Sequence, residues 1–156
     1  ELCKYGPVLY MSYEEGVNQS FQRRMDYLNM NEVQGKFRVV VDDTLEELAE
    51  RLAKPKSPKF VIVDSFQVGC DDKGWTYPDA VALMKRFSRK CFIFISQEDK
   101  SAPTGKPARR LRYICDMKVR VIGYKAYCLG RSIGEAGKYY VVWKDGVIKT
   151  NNDINL

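Results

Sequence analysis

The chain of 156 residues contains no histidine. That absence removes every Ser-His and Cys-His nucleophile scheme and nearly excludes the usual zinc ligand sets. The five cysteines, Cys3, Cys70, Cys91, Cys115 and Cys128, are odd in number, widely spaced and form no C-x-x-C pair. Reduced thiols in a cytoplasmic protein are the expected state. No apolar run approaches the length of a membrane-spanning helix, so no membrane partner is expected. No signal peptide is visible. Residue 1 is glutamate, and a natural N-terminus further upstream is expected. Internal repeats and low-complexity runs are lacking too. Charge of either sign is only mildly in excess: the net value of +6 permits an anionic partner without demanding one. The length suits one domain with a single core over residues 1–150, followed by a tail at 151–156.

What the chain does have is Phe60-Val-Ile-Val-Asp64-Ser65-Phe66-Gln67. Its mostly β-branched apolar run, bounded by Pro58 and Gly69, predicts a strand buried on both faces of a parallel sheet. Ligands of open α/β sheets gather at the carboxyl ends of the strands, where Asp64 stands. Either it caps the next turn or it meets magnesium on a nucleotide.

Around that strand, helical and strand periods alternate. Residues 7–13 predict a first strand, and 17–28 an amphipathic helix with Val17, Phe21, Arg24 or Met25, and Leu28 at helical spacing. Residues 37–42 predict a second strand. Thr44 and Glu47 form a capping box opening a helix whose face is Leu45, Leu48, Ala49 and Leu52. Residues 69–74 read as a polar loop without EF-hand spacing. Pro78 sits in the first turn of a helix running to about Lys90, with Val81, Met84 and Phe87 inward. Residues 91–97 form a further apolar strand. This alternation predicts an α/β fold built of parallel crossovers.

The last third changes pattern. Residues 100–106 read as a loop, 107–116 as a short basic helix and 118–129 as one long strand. Residues 138–143 and 147–150 flank Asp145-Gly146 as a hairpin. Antiparallel hairpins thus take over at one edge.

Three strand ends carry polar residues in order: Ser12-Tyr13-Glu14-Glu15, Asp64-Ser65-Phe66-Gln67 and Ser96-Gln97-Glu98. In that order the chain, over about residues 7 to 145, resembles the RecA-type P-loop ATPases, most of all the branch with the RadA repair ATPase and the DnaB helicases. The resemblance implies a RecA-like core, ATP and Mg2+ as nucleotide and metal, and action on single-stranded DNA in repair, recombination or replication. It implies that Glu14 activates the attacking water, with Glu15 one residue out. Asp64 then supports magnesium through a water, with Ser65 beside it, and Gln97 senses the γ-phosphate. It places the DNA-binding region at Lys100, Lys106, Arg109, Arg110 and Arg112, and Arg131 near a neighbour's nucleotide. Tyr113, Tyr124 and Tyr127, interleaved with Lys118 and Arg120, are available to stack on bases.

The family also needs a G-x-x-x-x-G-K-[ST] phosphate loop, and the chain has none. Residues 1–6 resemble the tail of the helix that follows such a loop. The chain is therefore expected to be the C-terminal part of a longer core, with no nucleotide bound tightly by this part alone. The missing first strand would leave apolar edges unpaired, so self-association or a rearranged sheet is expected.

Rival readings share the same residues. Glu14 also suits a helix-start carboxylate, Gln97 a plain strand end, and the basic helix a solvated face. The other function class is a degenerate RecA-like module for DNA binding or assembly without ATPase activity. A flavodoxin-like or nuclease-like domain is a third, though a nuclease wants more strand-end carboxylates than Asp42, Asp64 and Glu98.

Overall fold

The computed structural model describes residues 1–131 and 133–147. The chain divides into two compact units, Glu1–Arg110 and Leu111–Leu156.

The first unit is α/β. Strands β1 (Val8–Ser12), β2 (Phe37–Val40), β3 (Phe60–Asp64) and β4 (Cys91–Phe94) form a parallel sheet in the order β2-β1-β3-β4. Parallel neighbours need crossovers, and these carry α1 (Gln19–Tyr27), α2 (Leu45–Ala53), α3 (Phe66–Asp72) and α4 (Tyr77–Arg86). Register decides which side chains share a face. Tyr10 lies level with Ile62, and Ile62 with Ile93, whereas Met11, Val63 and Phe94 form the next rung. The Tyr10 ring meets Phe21 of α1 at 6.0 Å, and Phe94 meets Phe66 of α3 at 5.2 Å. Successive strand residues face opposite sides, so helices cover both. Leu9, Met11, Val61 and Val63 are accordingly fully buried, as the apolar runs of the two central strands require.

The capping box forms as expected: Glu47 N donates to Thr44 Oγ1 at 3.2 Å, and Thr44 N donates to Glu47 Oε2 at 2.8 Å. Leu48, Ala49 and Leu52 of α2 are buried. Thr44→Ala should cost about 1 kcal/mol, read as a lower urea midpoint at constant slope. An unchanged midpoint would show that the box contributes nothing.

Other expectations are corrected. Residues 69–72 are not loop but the end of α3, capped by Ser65 and burying Phe66, Gln67 and Gly69. In α1, Phe21 is buried, whereas Val17 and Leu28 lie outside the helix and are exposed. In α4 the buried residues are Ala80 and Leu83, with Val81, Met84 and Phe87 half-buried. The 100–106 loop is partly a tight hairpin, β5 (Glu98–Asp99) with β6 (Ala102–Pro103). The basic helix is α5 (Lys106–Ile114), and the boundary between the two units falls within it.

In the second unit the single long strand is instead two, β7 (Met117–Ile122) and β8 (Lys125–Arg131), which pair antiparallel. Gly123 (φ 53) and Tyr124 (φ 59) turn the chain between them, the pair of positive φ values that a two-residue hairpin uses. Strand β9 (Tyr139–Val141) completes a separate sheet in the order β7-β8-β9. Asp145-Gly146 is no hairpin turn: residues 144–147 form a helical turn, with Val147 N donating to Trp143 O at 3.2 Å. Residues 148–150 and the expected tail at 151–156 lie outside the described residues.

Candidate site at the carboxyl ends of the parallel strands

Strands β1 and β3 end level, Ser12 opposite Asp64. Backbone bonds then tie the segments that leave them. Tyr13 N and Glu14 N both donate to Asp64 O, at 2.7 and 3.2 Å, and Phe66 N donates to Ile95 O just past β4 at 2.9 Å. A turn closes behind Glu14, where Ser12 Oγ donates to Gly16 O at 3.0 Å. Three strand ends are thereby held as one rim.

On that rim Glu14 and Gln97 meet, Gln97 Nε2 donating to Glu14 Oε1 at 2.8 Å. The residues are 83 apart in sequence, and both are exposed. Glu15, one position on, turns away and pairs with Arg24 of α1. Asp64 stands between the other two in the sheet, half-buried, and its Oδ2 accepts from the Tyr10 hydroxyl. Burial first, and then the bond to Asp64 and its charge, push the Tyr10 hydroxyl well above its ordinary pKa. That phenol therefore stays protonated and keeps donating at neutral pH. Ser65 is fully buried, and its Oγ accepts from Val68 N at 3.4 Å, capping α3.

Two further residues brace the rim without any sequence signal of that role. Gln67 is buried, and its Nε2 donates to the carbonyls of Gln97 at 3.1 Å and Thr104 at 3.2 Å. It thereby anchors Gln97 from behind, while its own Oε1 has no partner among the described residues. Tyr10 orients Asp64. Gln67 stood in the Asp64-to-Gln67 stretch, but a lone glutamine after a strand carries no signal of where its amide will reach. Tyr10 reads as a core aromatic, and its hydroxyl becomes informative only when β1 and β3 are in register.

Magnesium that keeps most of its water and binds with a nucleotide takes only one or two carboxylates from a protein. Asp64 fits that role as one oxygen donor at the rim, with one of its oxygens already engaged by Tyr10. No group of three or more His, Cys, Asp or Glu side chains suited to a metal is present among the described residues.

The basic candidates are distributed over three elements, the β5–β6 hairpin, α5 and β8. Lys100 lies in the turn of the β5–β6 hairpin, with Lys100 (φ 47) and Ser101 (φ 71) both left-handed. In α5, Arg109 Nε donates to Pro103 O at 3.1 Å, and the Arg110 guanidinium lies 4.1 Å over the Tyr77 ring. Lys106 is exposed at the start of α5. Arg112, in the helix's last turn, is half-buried. Arg131 ends β8, and its side chain lies outside the described residues. No described helix is long and apolar enough to cross a membrane.

No protein-family model matches the chain, and no curated protein matches it either.

Proposed function

We propose that the chain is the C-terminal part of a RecA-like core that binds and hydrolyses ATP and acts on DNA in the cytoplasm. The observation that carries this reading is the Glu14–Gln97 bond of 2.8 Å at the strand ends where Asp64 also lies. A carboxylate and an amide from separate strands, exposed side by side, suit a nucleophilic water and a phosphoryl oxygen. Phosphoryl transfer asks a protein mainly for position and charge stabilisation. In this proposal Glu14 Oε1 orients the attacking water and takes its proton. Gln97 Nε2, released from Glu14, would contact the γ-phosphate, and Asp64 would hold a water of the nucleotide's magnesium, which would supply neutralisation of the phosphate charge. The Tyr10 hydroxyl fixes the Asp64 carboxylate, and Ser65 caps α3 beside it. Residue 98, next to Gln97, opens the β5–β6 hairpin, whose turn carries Lys100 and which leads into the basic start of α5.

The phosphate cradle is absent from these 156 residues. Purified alone, the chain should therefore neither bind ATP tightly nor hydrolyse it. Nucleotide-stimulated turnover by the isolated chain would overturn that division of labour. The same absence favours a second reading, a loopless DNA-binding or assembly module. The gene sequence separates the two. A G-x-x-x-x-G-K-[ST] loop upstream of Glu1 in the same reading frame selects the ATPase, and a start codon close to Glu1 selects the module.

A further inference from the structure

At the opposite ends of the same strands lies a half-open cleft of about 460 Å³. Its walls come from the segment entering β3 and the segment entering β4, and include Lys59, Arg86, Arg89, Lys90, Ser57 and Phe87. We propose that this cleft binds the phosphodiester backbone of a single-stranded nucleic acid, at a site separate from Lys100 and α5.

Charge is the first argument. Residues 54–60 and 85–91 together hold seven lysines and arginines and no carboxylate. None of the four cations in the cleft forms an ion pair with a described residue. Like charges gathered around one concavity repel each other, and a low-dielectric wall strengthens that repulsion. An anion in the cleft relieves it.

Construction is the second argument. The Lys90 ammonium is not a loose surface group: Nζ donates to Ser57 Oγ at 2.7 Å and to Pro58 O at 2.8 Å. Both acceptors are neutral, so its charge is left uncompensated and one donor remains. Burial also lowers the Lys90 pKa from its ordinary value, which an adjacent anion would reverse. The Lys90 contacts staple the two segments together, and Cys91 N donates to Lys59 O at 2.9 Å. The Lys90 ammonium is thus held in place at the start of the sheet.

Shape selects the ligand. The cleft is half-open rather than closed around one ion, and Phe87 in its wall is half-buried, with the Arg86 guanidinium 5.1 Å from its ring centroid. Cations tracking a backbone beside an aromatic surface are how proteins hold single strands without sequence preference.

The test is fluorescence anisotropy of labelled oligothymidylate with the protein and its Arg86→Glu/Arg89→Glu variant, at several salt concentrations. Both arginines are exposed, and circular dichroism checks the fold. Affinity at low salt should fall at least tenfold. The slope of log K against log salt should shrink by about 1.4, at about 0.7 per lost single-strand phosphate contact. Longer oligomers should bind tighter than short ones, and tripolyphosphate should compete weakly. Unchanged affinity and slope would overturn the proposal, as would tripolyphosphate binding as tightly as the oligomer. Arg109→Glu tests the α5 region separately, so failure of one site is distinguishable from failure of the other. Should the double variant not fold, amide chemical shifts of the unmodified protein decide. Movement at residues 86–90 on adding oligothymidylate supports the site, and silence there rejects it.

Discussion

Glu14→Gln, made in the protein translated from the full reading frame, should lower ATP turnover by about 10²–10⁴-fold, the range that a positioned general base contributes. Glutamine keeps the size of the side chain and its partner Gln97 but cannot accept the proton of an attacking water. Nucleotide affinity should therefore change little, and the loss should appear in kcat rather than KM. Glu15→Gln is the matched control. Its carboxylate is turned to Arg24, so turnover should stay within a few-fold of the parent. Steady-state hydrolysis with a parallel nucleotide-binding titration checks both. Equal effects of the two substitutions would remove Glu14 from its role.

The second large effect falls on stability. Phe66 is fully buried directly behind the rim, edge-on to Phe94 at 5.2 Å and to Trp75 at 6.4 Å. Phe66→Ala deletes that ring and leaves a cavity, at a cost of about 3–5 kcal/mol. A domain is stable by only about 5–15 kcal/mol, so much of the stability goes with one side chain. Phe66 N also holds the exit of β4 through Ile95 O. The rim should loosen even where the chain still folds. Urea unfolding reads the loss, and a change below about 1 kcal/mol would show that the neighbours collapse into the space.

Much of this arrangement is legible in the sequence where one local cause dominates. The Thr44–Glu47 box and the apolar runs of β1 and β3 each specify their element without help from distant residues. Where tertiary packing outweighs propensity, legibility fails. Residues 69–72 carry a glycine and two aspartates near a helix end, where the dipole disfavours acids, and so read as loop. They are helical in the structure, with Phe66 buried against Phe94 and Trp75, and Gly69 packed closely on the Tyr13 ring. Gly123-Tyr124 lacks the Asn-Gly or Asp-Gly signature of its turn, so two strands read as one. The reverse error occurs at Asp145-Gly146, where the signature is present and the hairpin is not.

The candidate site divides along the same line. Strand-end polarity picks out Glu14, Asp64 and Gln97 because sheets of this kind expose their carboxyl ends. It cannot show that Glu15 is occupied by Arg24, or that Gln67 and Tyr10 brace the rim. Those facts depend on which helix lies beside which strand and on strand register, neither of which a single strand's pattern encodes. The basic cleft at the other end is not legible in the sequence for a related reason. Its two halves are 25 or more residues apart in the chain, and each alone reads as an ordinary solvated turn.

Hydrogen–deuterium exchange of the full-reading-frame protein, with and without a non-hydrolysable ATP analogue, probes the rim itself. Slowed exchange concentrated at residues 12–16, 64–67 and 95–97 is the predicted pattern, because a triphosphate seated there orders all three strand exits together. Protection confined to other segments, or an unchanged map under saturating nucleotide, would contradict the assignment of this rim to ATP.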